Sequence, residues 1–280
     1  MNTPMSCPVS GLRKILLATD GSQFSAGAVR EAISLAKRCS ATLYAISAVE
    51  DMGDYDGRTI EIEEMREAEV KQLLIAVQES AANKGVACET IVAHGNADRE
   101  IIEAAKIRQA AVIILGRRGR RGLTKVLMGS VAAGVIRHAP CNVLVVPKAA
   151  KIEHKNTLVA IDGSARSQTA ASMAIALVKQ CGGGLMVLSA IHNEDERAVA
   201  QMQVNSVVEQ GKSEGVAVEP LTPIGKAHEV IIETAGGRGV DLIVMAADEK
   251  TARKNLFTGG TTEKVAELSG FAVFVVKAQS

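Results

Sequence analysis

The chain has 280 residues, 32 Lys and Arg against 31 Asp and Glu, a formal net charge of +1, 47% hydrophobic residues and only 2% aromatic ones, with no Trp. The balanced charge argues against an electrostatic nucleic-acid partner and the missing rings against a base-stacking platform, while no apolar run reaches the ~20 residues of a membrane helix. The N-terminus lacks the charged and apolar blocks of a signal peptide, and the five dispersed cysteines form no CxxC, so the expected location is a reducing cytoplasm, without a disulfide framework or a zinc site. Cys39 and Cys181 close similar helical stretches and read as small buried hydrophobes.

In chain order, the pattern predicts strands near 13–19, 41–49, 86–93, 110–116 and 141–147. Amphipathic helices fall between them near 23–39, 59–84, 97–108 and 130–138. A short polar stretch at 148–155 follows. Strands then recur near 156–161, 184–191, 216–222, 240–246 and 271–277, with helices near 166–181, 195–214, 227–236 and 261–269. The strands are nearly continuous Val, Ile, Leu and Ala, as expected of a parallel sheet buried on both faces. Alternating strands and helices with right-handed crossovers give a doubly wound α/β sheet, with ligands at the carboxyl ends of the strands.

The second series repeats the first. ILLATDGS (15–22) returns as TLVAIDGS (157–164), HGNADREIIEAA (94–105) as IGKAHEVIIETA (224–235), and CNVLVVP (141–147) as FAVFVVK (271–277). The order is preserved, so the chain is a tandem duplication, divided into 1–150 and 151–280. If strands 141–147 and 271–277 are sheet edges, pairing them within one chain would cover their open backbone groups and mimic a homodimer.

The sharpest local feature is GRRGRRGLTKVLMGS, Gly116–Ser130, between the fourth strand and the following helix. Gly116, Gly119 and Gly129 let backbone approach a ligand, and Ser130 suits a helix N-cap, whose free N–H groups favour phosphate. Arg117, Arg118, Arg120, Arg121 and Lys125 raise local anion affinity, although individually they read as a solvated basic loop. Asp20, after the first strand, either accepts hydrogen bonds from a base or ribose or merely starts the next turn; both readings stand. Ser47, Ala48 and Val49 end the second strand and offer backbone and an apolar wall to an adenine ring, or ordinary core.

The histidines form no metal-ligand pair and read as structural. There is no GxSxG elbow and no P-loop, so catalysis, including fast ATP hydrolysis, is not indicated. The acidic stretch 50–69 reads as a solvated face, with a lid over the ligand edge as its alternative. Met65, Met128 and Met202 read as core.

These residues resemble the universal stress protein family in both copies. Gly116, Gly119, Gly129 and Ser130 match its ATP-binding pattern G-x2-G-x9-G-(S/T) without gaps, and the opening ATD at 18–20 matches as well. The resemblance implies two five-stranded parallel sheets of order 3-2-1-4-5, Rossmann-like, of the adenine nucleotide alpha hydrolase-like kind. It also implies ATP as ligand, with AMP, ADP and accompanying Mg left open, and dimer pairing through the last strand. Asp20 and Ala48 would meet the adenosine part; Gly116, Gly119, Gly129, Ser130 and Val131 would surround the ribose and phosphates. Copy two departs from the pattern. Asp162 matches Asp20, but Ala246 stands for Gly116, Glu249 for Gly119, and Gly259–Gly260 for Gly129–Ser130. The expectation is a stress or regulatory protein that binds ATP in the first half and weakly or not at all in the second; it is not expected to be an enzyme, with slow ATP hydrolysis or self-phosphorylation, implied by the resemblance, left open. A nucleotide-independent interaction scaffold is the alternative, and a pyrophosphatase-type ligase, whose paired glycines after strand one are missing, ranks last.

Overall fold

The structure is a computed structural model that describes residues 12–49, 59–119, 128–248 and 260–277. The first half contains β1 (Lys14–Ala18), α1 (Ala26–Cys39), β2 (Thr42–Val49), α2 (Thr59–Ala82), β3 (Cys88–His94), α3 (Ala97–Arg108), β4 (Val112–Gly116), α4 (Ser130–His138) and β5 (Asn142–Val146). The second contains β6 (Asn156–Ala160), α5 (Ala165–Cys181), β7 (Gly184–Leu188), α6 (Arg197–Ser213), β8 (Val218–Leu221), α7 (Ala227–Gly237), β9 (Leu242–Ala246), α8 (Thr261–Leu268) and β10 (Ala272–Val276), with a short 3-10 turn before α6.

The two sheets form one ten-stranded sheet of order β3-β2-β1-β4-β5-β10-β9-β6-β7-β8. Each half keeps the expected order 3-2-1-4-5, and every pair is parallel except the junction. There β5 meets β10 antiparallel, with Val143 opposite Val275 and Leu144 opposite Phe274. Each sheet would otherwise end on an open edge, and an antiparallel match satisfies both edges at once.

Burial follows the strand period of two. Ile15 and Leu17 face one apolar layer, built with α1, α2, α5 and α6; Leu16 and Ala18 face the other, built with α3, α4, α7 and α8. Both layers run through β5 and β10, so the halves share a continuous aliphatic core. The outer strands β3 and β8 are the least buried.

Polar contacts lock the junction. Arg137 of α4 forms a two-pronged pair with Glu263 of α8, at 2.9 and 3.2 Å. Lys277 Nζ donates to the Arg137 carbonyl at 3.2 Å, and Arg117 Nη1 donates to the carbonyls of Glu267 and Ser269. The two ends of the Arg137–Glu263 pair differ in burial: the glutamate side chain is 7% exposed, the arginine 40%. Arg137→Ala strands a buried carboxylate and is expected to cost about 3 kcal/mol. Glu263→Ala leaves a guanidinium that can turn to water, at about 1 kcal/mol. Equal losses of melting temperature in the two variants would refute this ordering.

Three sequence expectations change. Cys39 is buried in the core as expected but is disulfide-bonded, where no disulfide was expected, and Cys181 is only half-buried; Cys7 lies outside the described residues. Cys88, Cys141 and Cys181 are free; burial pushes the thiols of Cys88 and Cys141 up to about 11, which keeps them protonated and unreactive at neutral pH. Met65 and Met202 are 66% and 69% exposed, because α2 and α6 cover the sheet margins and turn these positions outward; Met128 does pack on the core. No described helix is long and apolar enough to cross a membrane.

Candidate functional site

The carboxyl ends of β1, β2 and β4 meet the N-terminus of α4. Beyond β1 the chain folds on itself: Thr19 Oγ1 lies 2.9 Å from Ser25 Oγ, and Ser22 N–H donates to Asp20 Oδ1 at 3.0 Å. Asp20 therefore does start the turn. Its other oxygen, Oδ2, faces the loop after β4, 2.9 Å from where a Cβ on Gly119 would stand.

Gly116 closes β4 against this turn. A Cβ there would lie 2.8 Å from the Phe24 carbonyl and 3.1 Å from Ser25 Cα, both backbone, so only glycine fits without moving the chain. The loop after Gly116 returns at Gly129, whose N–H donates to the Arg117 carbonyl at 3.0 Å. Gly129 is extended and is itself the N-cap of α4. This corrects the assignment of Ser130, which is the exposed first residue of the helix and makes no side-chain cap bond. A Gly-Ser pair leaves either residue free to take the cap, and the extended backbone at Gly129 decides it. Val131 packs partly against the core, and no acidic residue occupies the first turn. The positive end of this helix thus opens toward Gly119 and Asp20.

Ala48 pairs with Ala93 in the β2–β3 ladder and is partly buried on the α3–α4 side of the sheet; Ser47 and Val49 are buried. Of the basic loop, Arg117 is spent on α8, while Arg118 holds its Nε buried with no partner among the described residues. Arg120, Arg121 and Lys125 lie outside the described residues, as does 50–58 of the acidic stretch.

The second half repeats the scaffold with other chemistry. Asp162 Oδ1 accepts from Ser164 N–H at 3.0 Å, as Asp20 does from Ser22. Burial opposes its charge, but hydrogen bonds from Ser164 and Ser167 prevail and hold the carboxyl below its usual range. Ala246 pairs with Val276 as Gly116 pairs with Val146, so it occupies the Gly116 position. The helix start corrects the rest of the expected match. Gly260 is the N-cap of α8 and its carbonyl accepts from Lys264, as Gly129 accepts from Ala133. Gly260 therefore corresponds to Gly129 and Thr261 to Ser130, and the second loop is one residue longer. Glu249 and Gly259 lie outside the described residues.

Sequence reasoning missed Asp248. It corresponds to Arg118, and its Oδ2 accepts from Thr262 N–H at 3.0 Å. The signal was a reversed charge two residues after each fourth strand. Also missed were the side chains over the first turns: Leu73 beside Gly21, and Gln203 beside Gly163, where Gln203 accepts from Ser189.

A family model described as the universal stress protein family matches residues 11–147 and again 153–277. The chain belongs to the universal stress protein family. Its members are stress-response proteins, and both halves of this chain carry the family pattern in sequence. A universal stress protein of Methanocaldococcus jannaschii is 38% identical over 144 residues, covering 50% of this chain and 84% of that one. The Bacillus subtilis universal stress protein YxiE is 36% identical over 144 residues, 48% of this chain and 97% of its own. A universal stress protein structure from Archaeoglobus fulgidus superposes with a TM-score of 0.79 at 22% identity, over 96% of this chain and 100% of that one, which bears on the fold.

Proposed function

We propose that this universal stress protein is a cytoplasmic regulatory protein that binds ATP in residues 1–150 and binds it weakly or not at all in residues 151–280. The observation that carries the reading is the acid-free N-terminus of α4 at Gly129–Val131, set against Gly116, Gly119 and Asp20. That arrangement gives phosphates a positive helix end and close backbone approach. On this reading Asp20 and the β2 end at Ala48 would meet the ribose and adenine. ADP or AMP would use the same adenosine contacts with fewer phosphate ones, and Mg would accompany the triphosphate.

In the second half, Ala246 adds a methyl group at the Gly116 position, and α8 carries Glu263 in its first turn. The methyl group crowds the backbone approach that a polyphosphate needs, while the Glu263 charge is already paired with Arg137. The protein is read as a binder without catalytic turnover; sustained conversion of ATP to ADP or AMP by purified protein would overturn that. The free Cys88, Cys141 and Cys181 fit a reducing compartment and the bonded Cys39 does not, so cell fractionation decides the location.

The experiment is acid extraction of freshly purified protein followed by chromatography. With no Trp and two Tyr, bound adenine would stand out even in the raw absorbance spectrum. The expected result is adenine nucleotide in a one-to-one ratio with chain. No nucleotide, and no uptake of added ATP, would favour the scaffold reading, which the second half already fits in part: it keeps the fold and changes the positions of Gly116, Arg118 and Gly119.

A further inference from the structure

The positions that should receive phosphate differ in what already occupies them. Beside Gly129, an added Cβ would meet only backbone at ordinary contact distance: Arg118 Cα at 3.6 Å, and the Arg117 carbonyl and Gly119 N at 3.7 Å. Beside Gly260 it would collide with the Asp248 carboxylate. Next to the cap glycine, the nearest described atoms are loop backbone at contact distance in one half and a carboxylate in the other.

That anion is held in place. Asp248 Oδ2 accepts from Thr262 N–H, the second amide of α8, at 3.0 Å. Thr262 is itself clamped, its hydroxyl donating to the Ala246 carbonyl at 2.8 Å, and its side chain is buried. A carboxylate taking a first-turn amide is what a bound phosphate oxygen would do. Position by position, the counterpart of this anion in the first half is Arg118, a cation with an unpartnered Nε.

We infer that Asp248 is a built-in substitute for phosphate at the N-terminus of α8, and that it closes the second half to polyphosphate ligands. The inference rests on reading the first half as the ATP site, and it names the group that makes the halves unequal. Burial, Glu263 and Asp162 push the Asp248 carboxyl up, while the Thr262 amide pulls it back. A triphosphate would have to displace the carboxylate from the amide and then share the cleft with it, beside Asp162 and Glu263. The device also gives one first-turn amide of α8 a partner without any ligand.

The test is a titration of isotope-labelled full-length protein with inorganic tripolyphosphate, following the backbone amides of Ser130–Ala132 and Thr261–Glu263 by NMR. In the wild type, the first set is expected to shift saturably and the second to stay still. In Asp248→Gly the second set is expected to shift saturably as well, at least about tenfold more tightly than any residual wild-type response. Asp248→Asn keeps the size and the acceptor without the charge, so it answers the question if the glycine variant does not fold; a weaker gain is expected there. The inference is overturned if Thr261–Glu263 respond equally in wild type and variants, or if a folded variant gains no response. A silent first set in the wild type would instead sink the ATP reading of the first half, while the comparison at Thr261–Glu263 still decides the role of Asp248.

Discussion

Gly119→Glu is expected to abolish ATP uptake by the first half while leaving the fold intact. The position is solvent-reachable loop at the mouth of the site, so the substitution adds no buried strain to the core. Its Cβ would stand 2.9 Å from Asp20 Oδ2, close enough to push that side chain aside. The new carboxylate would then sit beside Asp20 and in the path of the phosphates. Two unit charges about 4 Å apart at an effective dielectric near 20 repel by about 4 kcal/mol, on the order of a thousandfold in affinity. Gly119→Ala separates sterics from charge. Asp20 can swing away from a methyl group, so a loss of about tenfold is expected. Calorimetric titration with ATP, alongside circular dichroism for fold, reads both. Unchanged affinity in Gly119→Glu would show that the loop after β4 is not where phosphates bind.

The same substitution reproduces what the second half carries naturally at Glu249, and this shows how much of the asymmetry was legible in sequence. Strands were legible because a buried parallel strand must be apolar on both faces: Ile15–Leu16–Leu17 and Ile113–Ile114 leave no solvent-facing position to confuse the pattern. The pairing of β5 with β10 was legible for a similar reason, since two equivalent edges in one chain need the same cover. The start of each phosphate-side helix was not. Gly129–Ser130 and Gly259–Gly260 each allow two registers, and only the backbone at the cap selects one. The error moved Gly260 by one position and made the second half look more eroded than it is. Thr261 still stands where Ser130 does, so the difference concentrates at Ala246, Asp248 and Glu249.

Side chains that act across the fold were illegible in principle. Asp248 is fourteen residues from Thr262, and nothing local marks its carboxylate as a helix cap. Arg117 belongs by sequence to the basic loop of the first half, yet it is committed to the C-terminal end of α8 in the second. Met65 and Met202 fell on apolar spacing, but spacing says nothing of how wide a face the neighbouring strands can cover. At the sheet margin that face is narrow, and both methionines are left in water.

The largest acid-linked change in stability is expected from His154, in the connector between the halves. It is 7% exposed, in a left-handed backbone conformation, and its Nε2 lies 2.8 Å from Arg38 Nη2. A guanidinium can only donate, so Nε2 is the acceptor and the ring is neutral. Burial, and then the Arg38 charge, lower its pKa from 6.5 to about 4. The sign follows directly. Above pH 6.5 neither the folded nor the unfolded histidine is protonated, and the full contribution is present. As pH falls below 6.5 the unfolded chain takes up a proton that the folded one refuses, so stability declines until the folded ring titrates near 4. The shift corresponds to about 3 kcal/mol lost across that window. Asp241 and Asp248, whose carboxyls burial pushes up, work in the opposite sense, because the folded state holds their protons more tightly as pH falls. Comparison with His154→Gln removes their contribution. Glutamine keeps an acceptor for Arg38 and cannot titrate, so its urea midpoint should fall less than the wild-type midpoint between pH 7 and pH 4.5. Parallel declines in the two proteins would place the titrating group elsewhere. A smaller decline in the variant would mean that Arg38 and the connector hold the first half to the second through a neutral imidazole, and that acid weakens this hold.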